Sequence, residues 1–205
     1  MAIQSGPILI VEDIAQVREL LEMQLQLKGY DVIGASDGQE ALALIETEKP
    51  ALIVSDILMP RMDGFAMAHA LRKDPQTAGI PIIFLSATYV SAEDERFAMN
   101  LGALRFLPKP VDADQLARAV AESLGGEPPP VPALNERDFY AGYRQRLESK
   151  LRQKAQQIGR NQQQMQSLPP EQRETYRRLV AEAQSQYDAI QAELTDLTAM
   201  LQDAL

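Results

Sequence analysis

The chain is predicted to be an α/β protein built on a doubly wound five-stranded parallel sheet, followed by an all-α helical hairpin or coiled coil. Three observations lead there. Between residues 7 and 124, short β-branched apolar runs alternate with amphipathic segments, the pattern of βαβ units whose parallel strands are covered on both faces. A stretch rich in glycine and proline then interrupts all periodicity. Beyond it, apolar residues return at alternating intervals of four and three, the spacing of a coiled-coil seam.

The expected strands are Ile8 to Val11, Val32 to Ala35, Leu52 to Ser55, Ile82 to Ser86 and Arg105 to Leu107. Each is short and mostly apolar, as central strands are. Between them, helices are expected near residues 15–28, 38–48, 65–73, 92–101 and 113–124. Gly29 closes the first, and Ser91 with Asp94, or Asp112, supplies caps for the last two. These elements make residues 1–124 one domain.

Gly125-Gly126-Glu127-Pro128-Pro129-Pro130-Val131-Pro132 follows. Its prolines forbid both helix and ladder and favour an extended spacer, so residues 125–133 read as a linker. Residues 134–205 are rich in Gln, Glu, Arg, Leu and Ala, with one break at Ser167 to Glu171. Pro170 with Glu171 behind it reads as a helix restart. In the second helix the seam is Tyr176, Val180, Ala183, Tyr187, Ile190, Leu194, Leu197, Leu201 and Ala204; in the first it is Leu147, Leu151, Lys154, Ile158, Asn161, Met165 and Leu168. Lys154 and Asn161 are polar seam positions, which fix register at a cost in stability. Residues 134–168 carry seven basic and three acidic side chains, residues 169–205 three and seven. The two helices should attract, and the brief break between them favours antiparallel neighbours.

Composition removes several function classes. Cysteine is absent, so disulfide, thiolate-metal and cysteine-nucleophile chemistry are excluded. No apolar run approaches the roughly 20 residues of a membrane span, and the N-terminus shows no signal-peptide pattern, so a cytoplasmic protein is expected. The net charge of -9 lies mainly in residues 1–124, with 18 acidic and 10 basic groups; residues 125–205 hold 11 and 10. Neither part is the basic body of a nucleic-acid binder.

In an open parallel sheet, ligands bind beyond the carboxyl ends of the strands. Strand one ends in Glu12-Asp13, strand three in Asp56, strand four in Ser86, and strand five runs into Lys109-Pro110. Clustered carboxylates repel, and a hard divalent cation held through oxygen relieves this; a sparse site that keeps several waters points to Mg²⁺ with Asp13 and Asp56 as direct ligands. A carboxylate such as Asp56 attacks phosphorus to form an acyl phosphate once cations neutralise the incoming oxygens, the task of Mg²⁺ and Lys109.

The motifs "ILIVED", "LIVSDILMPRMDG", "PIIFLSA" and "GALRFLPKP" stand in one order over residues 7–124. In them the chain resembles the CheY-like receiver domain of two-component response regulators. The resemblance implies a strand order of 2-1-3-4-5 and Asp56 as phosphoacceptor. It also implies a metal bound by Asp13, Asp56 and the Leu58 backbone carbonyl with Glu12 helping to position it. Ser86 would hydrogen-bond a phosphoryl oxygen, Lys109 would pair with the phosphoryl group, Phe106 would be the aromatic that senses Ser86, and Pro110 would follow a cis peptide. The implied donor is a histidine kinase or a phosphotransfer protein. The receiver would be no enzyme beyond catalysing its own phosphorylation and dephosphorylation.

His69, the single histidine, is expected to be a partly exposed residue of the third helix. Residues 125–205 contain none, so that segment cannot relay phosphate through histidine. Its expected role is output, by dimerisation through the coiled coil or receiver face or by docking a downstream protein. Two alternatives remain at the level of sequence: a helical phosphatase inserting Gln or Asn beside a phosphoaspartate, and a nucleic-acid-binding arm using Arg137, Arg144, Arg146, Lys150, Arg152 and Lys154 with Tyr140, Tyr143, Tyr176 and Tyr187.

Overall fold

A computed structural model describes residues 6–86, 92–126, 136–169 and 173–203. It divides into two compact units, Met1–Leu134 and Asn135–Leu205. The first unit alternates strand and helix throughout: β1 (Ile8–Val11), α1 (Ala15–Gln26), β2 (Val32–Ala35), α2 (Gly38–Thr47), β3 (Leu52–Asp56), α3 (Gly64–Lys73), β4 (Ile82–Ser86), α4 (Ala92–Asn100), β5 (Arg105–Pro108) and α5 (Ala113–Gly125). All neighbouring strands run parallel in the order β2-β1-β3-β4-β5.

Strands β1, β3 and β4 sit inside the sheet, and Ile8, Leu9, Ile10, Leu52, Ile53, Val54, Ile82 and Ile83 are almost wholly buried. β-branched residues suit that place because both faces are covered and each buried side chain contributes on the order of 2 kcal/mol. β2 and β5 are the edges and are only partly covered. Composition alone suited all five strands to central positions, whereas the order implied by the resemblance already set these two at the edges, where each has one neighbour and Arg105 lies exposed.

One face of the sheet packs Ile8, Ile10, Leu52, Val54, Ile83 and Leu85 against Leu21 and Leu25 of α1 and Leu116, Ala119 and Val120 of α5. On α3, Phe65 meets Phe84 and Phe97 edge-on, with ring centroids 5.3 and 5.2 Å away. His69 shares that buried helix at 8% exposure, contrary to its expected part-exposure. The cause is that α3 buries Phe65, Met67, Ala68, His69 and Leu71, more than one stripe of its surface.

Helix ends follow local chemistry. Asp37 caps α2 through the N–H groups of Gln39 and Glu40, Asp63 caps α3 through Ala66, and Asp112 caps α5 through Asp114 and Gln115. Helix α1 stops at Gln26, two residues before the expected end, because the chain turns through Gly29 at φ +88°. Ser91 and the break at Pro170-Glu171 lie outside the described residues, as does most of the 125–133 linker.

The second unit holds α6 (Glu136–Ser167) and α7 (Arg173–Asp203). They run antiparallel: Tyr143 donates a hydrogen bond to Glu193, and Lys154 Nζ donates to Gln186 Oε1 at 2.6 Å, so partners advance on one helix as they retreat on the other. Every described position of both expected seams, from Leu147 to Leu168 and from Tyr176 to Leu197, is buried or half-buried. The side chain of Leu201 and all of Ala204 fall outside the described residues. Phe139 stacks on Tyr143 one turn along, ring centroids 5.3 Å apart.

Candidate functional site

The parallel register delivers four polar side chains to one place. Glu12 and Asp13 follow β1, Asp56 ends β3, and Lys109 follows β5. Carboxylate oxygens of Glu12, Asp13 and Asp56 all lie within 4.8 Å of one another. Lys109 bridges two of them, its Nζ 2.5 Å from Glu12 Oε2 and 2.7 Å from Asp56 Oδ2. Glu12 is fully buried while Asp13 is exposed, so the cluster has a closed floor and one open side.

Its electrostatics are those of an anion-rich hole. Burial pushes the Glu12 carboxyl above its usual range, and the charge of Asp56 adds to this against the pull of Lys109. Asp13 is raised for the same two reasons, burial first and Asp56 second. Burial alone would lower Lys109, but the charge of Asp56 and the hydrogen bonds to Asp56 and Glu12 outweigh it and raise the ammonium above its ordinary value. One ammonium among three carboxylates leaves a net deficit of positive charge. The donors are all hard oxygens with an open side for water, which fits a small divalent cation of the Mg²⁺ type.

The loop after β3 is held tightly at its ends. Asp56 Oδ1 accepts from the N–H of Ile57 at 2.6 Å and lies 3.4 Å from that of Leu58, leaving Oδ2 toward Lys109. The Ser55 hydroxyl donates to the Asp56 carbonyl at 2.6 Å, and Gly64 N–H donates to the Ile57 carbonyl at 3.0 Å. Gly64 must be glycine for a steric reason: a Cβ there would stand 2.4 Å from the Asp56 carbonyl oxygen.

Ser86 is buried at the end of β4, in register with Pro108, and its carbonyl accepts from Lys109 N–H at 2.6 Å. Leu58 lies two residues beyond Asp56 in the loop, its side chain 48% exposed. Phe106 is half-buried on β5, in register with Phe84. The Lys109-Pro110 peptide is cis. Of the residues singled out by sequence, Glu12, Asp13, Asp56 and Lys109 are thus brought into contact, with Ser86 at the adjoining strand end and Phe106 one strand further out.

Several supports escaped the sequence reading. Arg18 of α1 donates to the Glu12 carbonyl at 2.7 Å, and buried Asp63 caps the helix that follows the loop. The Asp63-Gly64 pair was visible within a motif; Arg18 looks like any surface charge until the helix docks.

Residues 8–121 match the response regulator receiver domain family, more than half of the chain. A protein of Porphyridium aerugineum called "Probable transcriptional regulator ycf27" is 37% identical over 121 residues, 59% of this chain and 49% of its own length. A 14.6 kDa protein of Leptolyngbya boryana is 40% identical over 122 residues, 60% of this chain and 92% of its own. The chemotaxis protein CheY4 of Vibrio cholerae superposes with a TM-score of 0.55 at 33% identity, over 58% of this chain and 98% of that one. The chain spans about half the length of the ycf27 relatives it matches. With the sheet order, the acidic cluster and the family match in agreement, the chain belongs to the response regulator receiver domain family.

Proposed function

We propose that this chain is a phosphoacceptor, with Asp56 receiving a phosphoryl group from the phosphohistidine of a kinase or phosphotransfer protein. The observation that carries this is the convergence of Asp56, Glu12, Asp13 and Lys109 at the carboxyl edge of the sheet. An Asp56 carboxylate oxygen attacks phosphorus, the phosphorus–nitrogen bond breaks, and the imidazole departs with the electron pair and is then protonated. Asp13, Asp56 and the Leu58 carbonyl would hold Mg²⁺, with Glu12 positioning it, and when bound it supplies positive charge to the phosphoryl oxygens. Lys109 pairs with the transferred group, the Ser86 hydroxyl donates to it, and Phe106 responds to Ser86. The reaction is the domain's own modification, followed by its own hydrolysis, with no separate substrate turned over.

The helical hairpin is then the output, altered in assembly or docking when Asp56 is modified. The relatives named as transcriptional regulators match over 59% and 50% of this chain, and α6 directs Tyr143 and Lys154 toward Glu193 and Gln186 of α7, which favours a protein-pairing role over a nucleic-acid arm. The test is labelling by a small phosphodonor with Mg²⁺. Wild type should incorporate one phosphoryl group that base and hydroxylamine release, and Asp56→Asn none; retained labelling of Asp56→Asn sinks the assignment. Lys109→Ala should keep some label while losing the conformational response.

A further inference from the structure

The loop that leaves Asp56 carries a strained residue. Arg61 is the one non-glycine among the described residues with a positive φ, +64°. It sits in a tight turn in which Met62 N–H donates to the Pro60 carbonyl at 2.7 Å. A long side chain in that conformation costs energy that its surroundings must supply, and such strain collects at functional sites.

What the surroundings supply is a second anchor far from Asp56. The Arg61 guanidinium makes an ion pair with Asp37, whose side chain is wholly buried, and donates to the Ser36 hydroxyl at 3.0 Å. Asp37 is at the same time the cap of α2, accepting from Gln39 and Glu40 N–H at 2.7 and 3.0 Å. Beside it, Gly38 N–H donates to the Met62 carbonyl at 3.0 Å, and a Cβ at Gly38 would meet Met62 Cγ at 2.7 Å. The loop is therefore tied at one end to Asp56 and at the other to the head of α2.

We propose that Arg61 is a positioning residue for the cation site: anchored on Asp37 and Ser36, it holds the 57–63 loop so that the Leu58 carbonyl completes the Glu12, Asp13 and Asp56 donor set. The inference rests on the reading of Asp56 and its neighbours as a cation-assisted phosphoacceptor site. An exposed salt bridge contributes little, but here one partner is buried and held by two further hydrogen bonds, so the loop conformation and the helix cap depend on each other. Linkage makes the dependence reciprocal: if the tether favours the cation, the cation must favour the tether.

The experiment uses the full chain. Mg²⁺ affinity is measured by calorimetry, and amide hydrogen exchange at Gly38, Gln39 and Glu40 is followed with and without Mg²⁺. Wild type should bind Mg²⁺ and show slowed exchange at these amides. Arg61→Ala should bind roughly tenfold more weakly, as losses of residues that orient metal ligands do, and its exchange at α2 should no longer respond to Mg²⁺. Asp37→Asn keeps a capping side chain while removing the charge, so it should reproduce the Arg61→Ala defect, and the double variant should be no worse than either single one. If wild type binds Mg²⁺ and is labelled on Asp56 while both single variants bind Mg²⁺ as tightly as wild type, Arg61 is only a surface residue and the inference fails alone. If wild type neither binds Mg²⁺ nor is labelled, the phosphoacceptor reading fails and the inference with it.

Discussion

Asp13 and Glu12 are held in a state that folding alone disfavours. Both carboxyls are raised in the folded protein from ordinary values of 3.8 and 4.5, so the native state binds protons more tightly than the unfolded one. Stability is therefore lost as pH rises from those ordinary values through the raised ones, and the ionised cluster remains a burden at neutral pH. Because Asp13 is exposed, solvent screening keeps its own share below about 1 kcal/mol. Asp13→Asn should raise the melting temperature of the metal-free protein slightly at pH 7 and not at pH 4. In wild type, Mg²⁺ at a hundred times its Kd should add about 2.7 kcal/mol, and Asp13→Asn should abolish that gain; thermal melts across a Mg²⁺ series check both. Gly64→Ala should destabilise the receiver by about 1–3 kcal/mol through overpacking against the Asp56 carbonyl, read by denaturant unfolding, with labelling of Asp56 reduced alongside. At this scale the sequence was informative wherever a strand end fixed the residue's place, as for Glu12, Asp13, Asp56 and Lys109. It was silent on Arg61 and Arg18, whose partners Asp37 and the Glu12 carbonyl meet them only after the helices dock. His69 misled because a helical spacing does not reveal how much of α3 its neighbours cover.

Helices α6 and α7 offer the clearer case of an element written in its sequence. The four-and-three spacing alone marked positions that are all buried or half-buried where described, since a helix of 3.6 residues per turn has one such stripe. Strands β2 and β5 show the limit of reading composition alone: a short, mostly apolar run looks alike at the centre and at the edge, and it is the strand order implied by the resemblance that places these two at the edges. Leu147 is fully buried, so Leu147→Ala should cost the hairpin about 2–4 kcal/mol. Lys154, half-buried at a seam position, has its ammonium pushed below the ordinary range by burial, with Glu182 opposing, and spends its donors on Gln186 and Gln157. Lys154→Leu should therefore raise the melting temperature of the helical signal in circular dichroism while loosening register, seen as broadened amide resonances along α7. A stabilised hairpin with sharp resonances would show that Lys154 does not specify alignment.

The two units divide the chain's charge unequally, and that division bears on how the molecule signals. The receiver carries most of the net charge of -9, whereas the hairpin is nearly neutral because a basic α6 faces an acidic α7. Two such receivers repel one another at low salt, so any assembly of copies has to overcome that repulsion. The hairpin seam is already filled within one chain, and Leu179 is the one large apolar residue of the described hairpin that is strongly exposed; a zipper between chains would require the hairpin to open. The expected mass in solution is thus that of a single chain, 22.7 kDa, in the absence of a phosphoryl mimic. If the hairpin carries the output as proposed, adding beryllofluoride with Mg²⁺ should shift the intact chain toward twice that mass and leave a chain ending at Leu124 unchanged. A shift in both would place assembly on the receiver face instead. A mass of two chains before any addition would mean that the helices pair between molecules from the outset, and that Asp56 controls docking of another protein and not the assembly of this one.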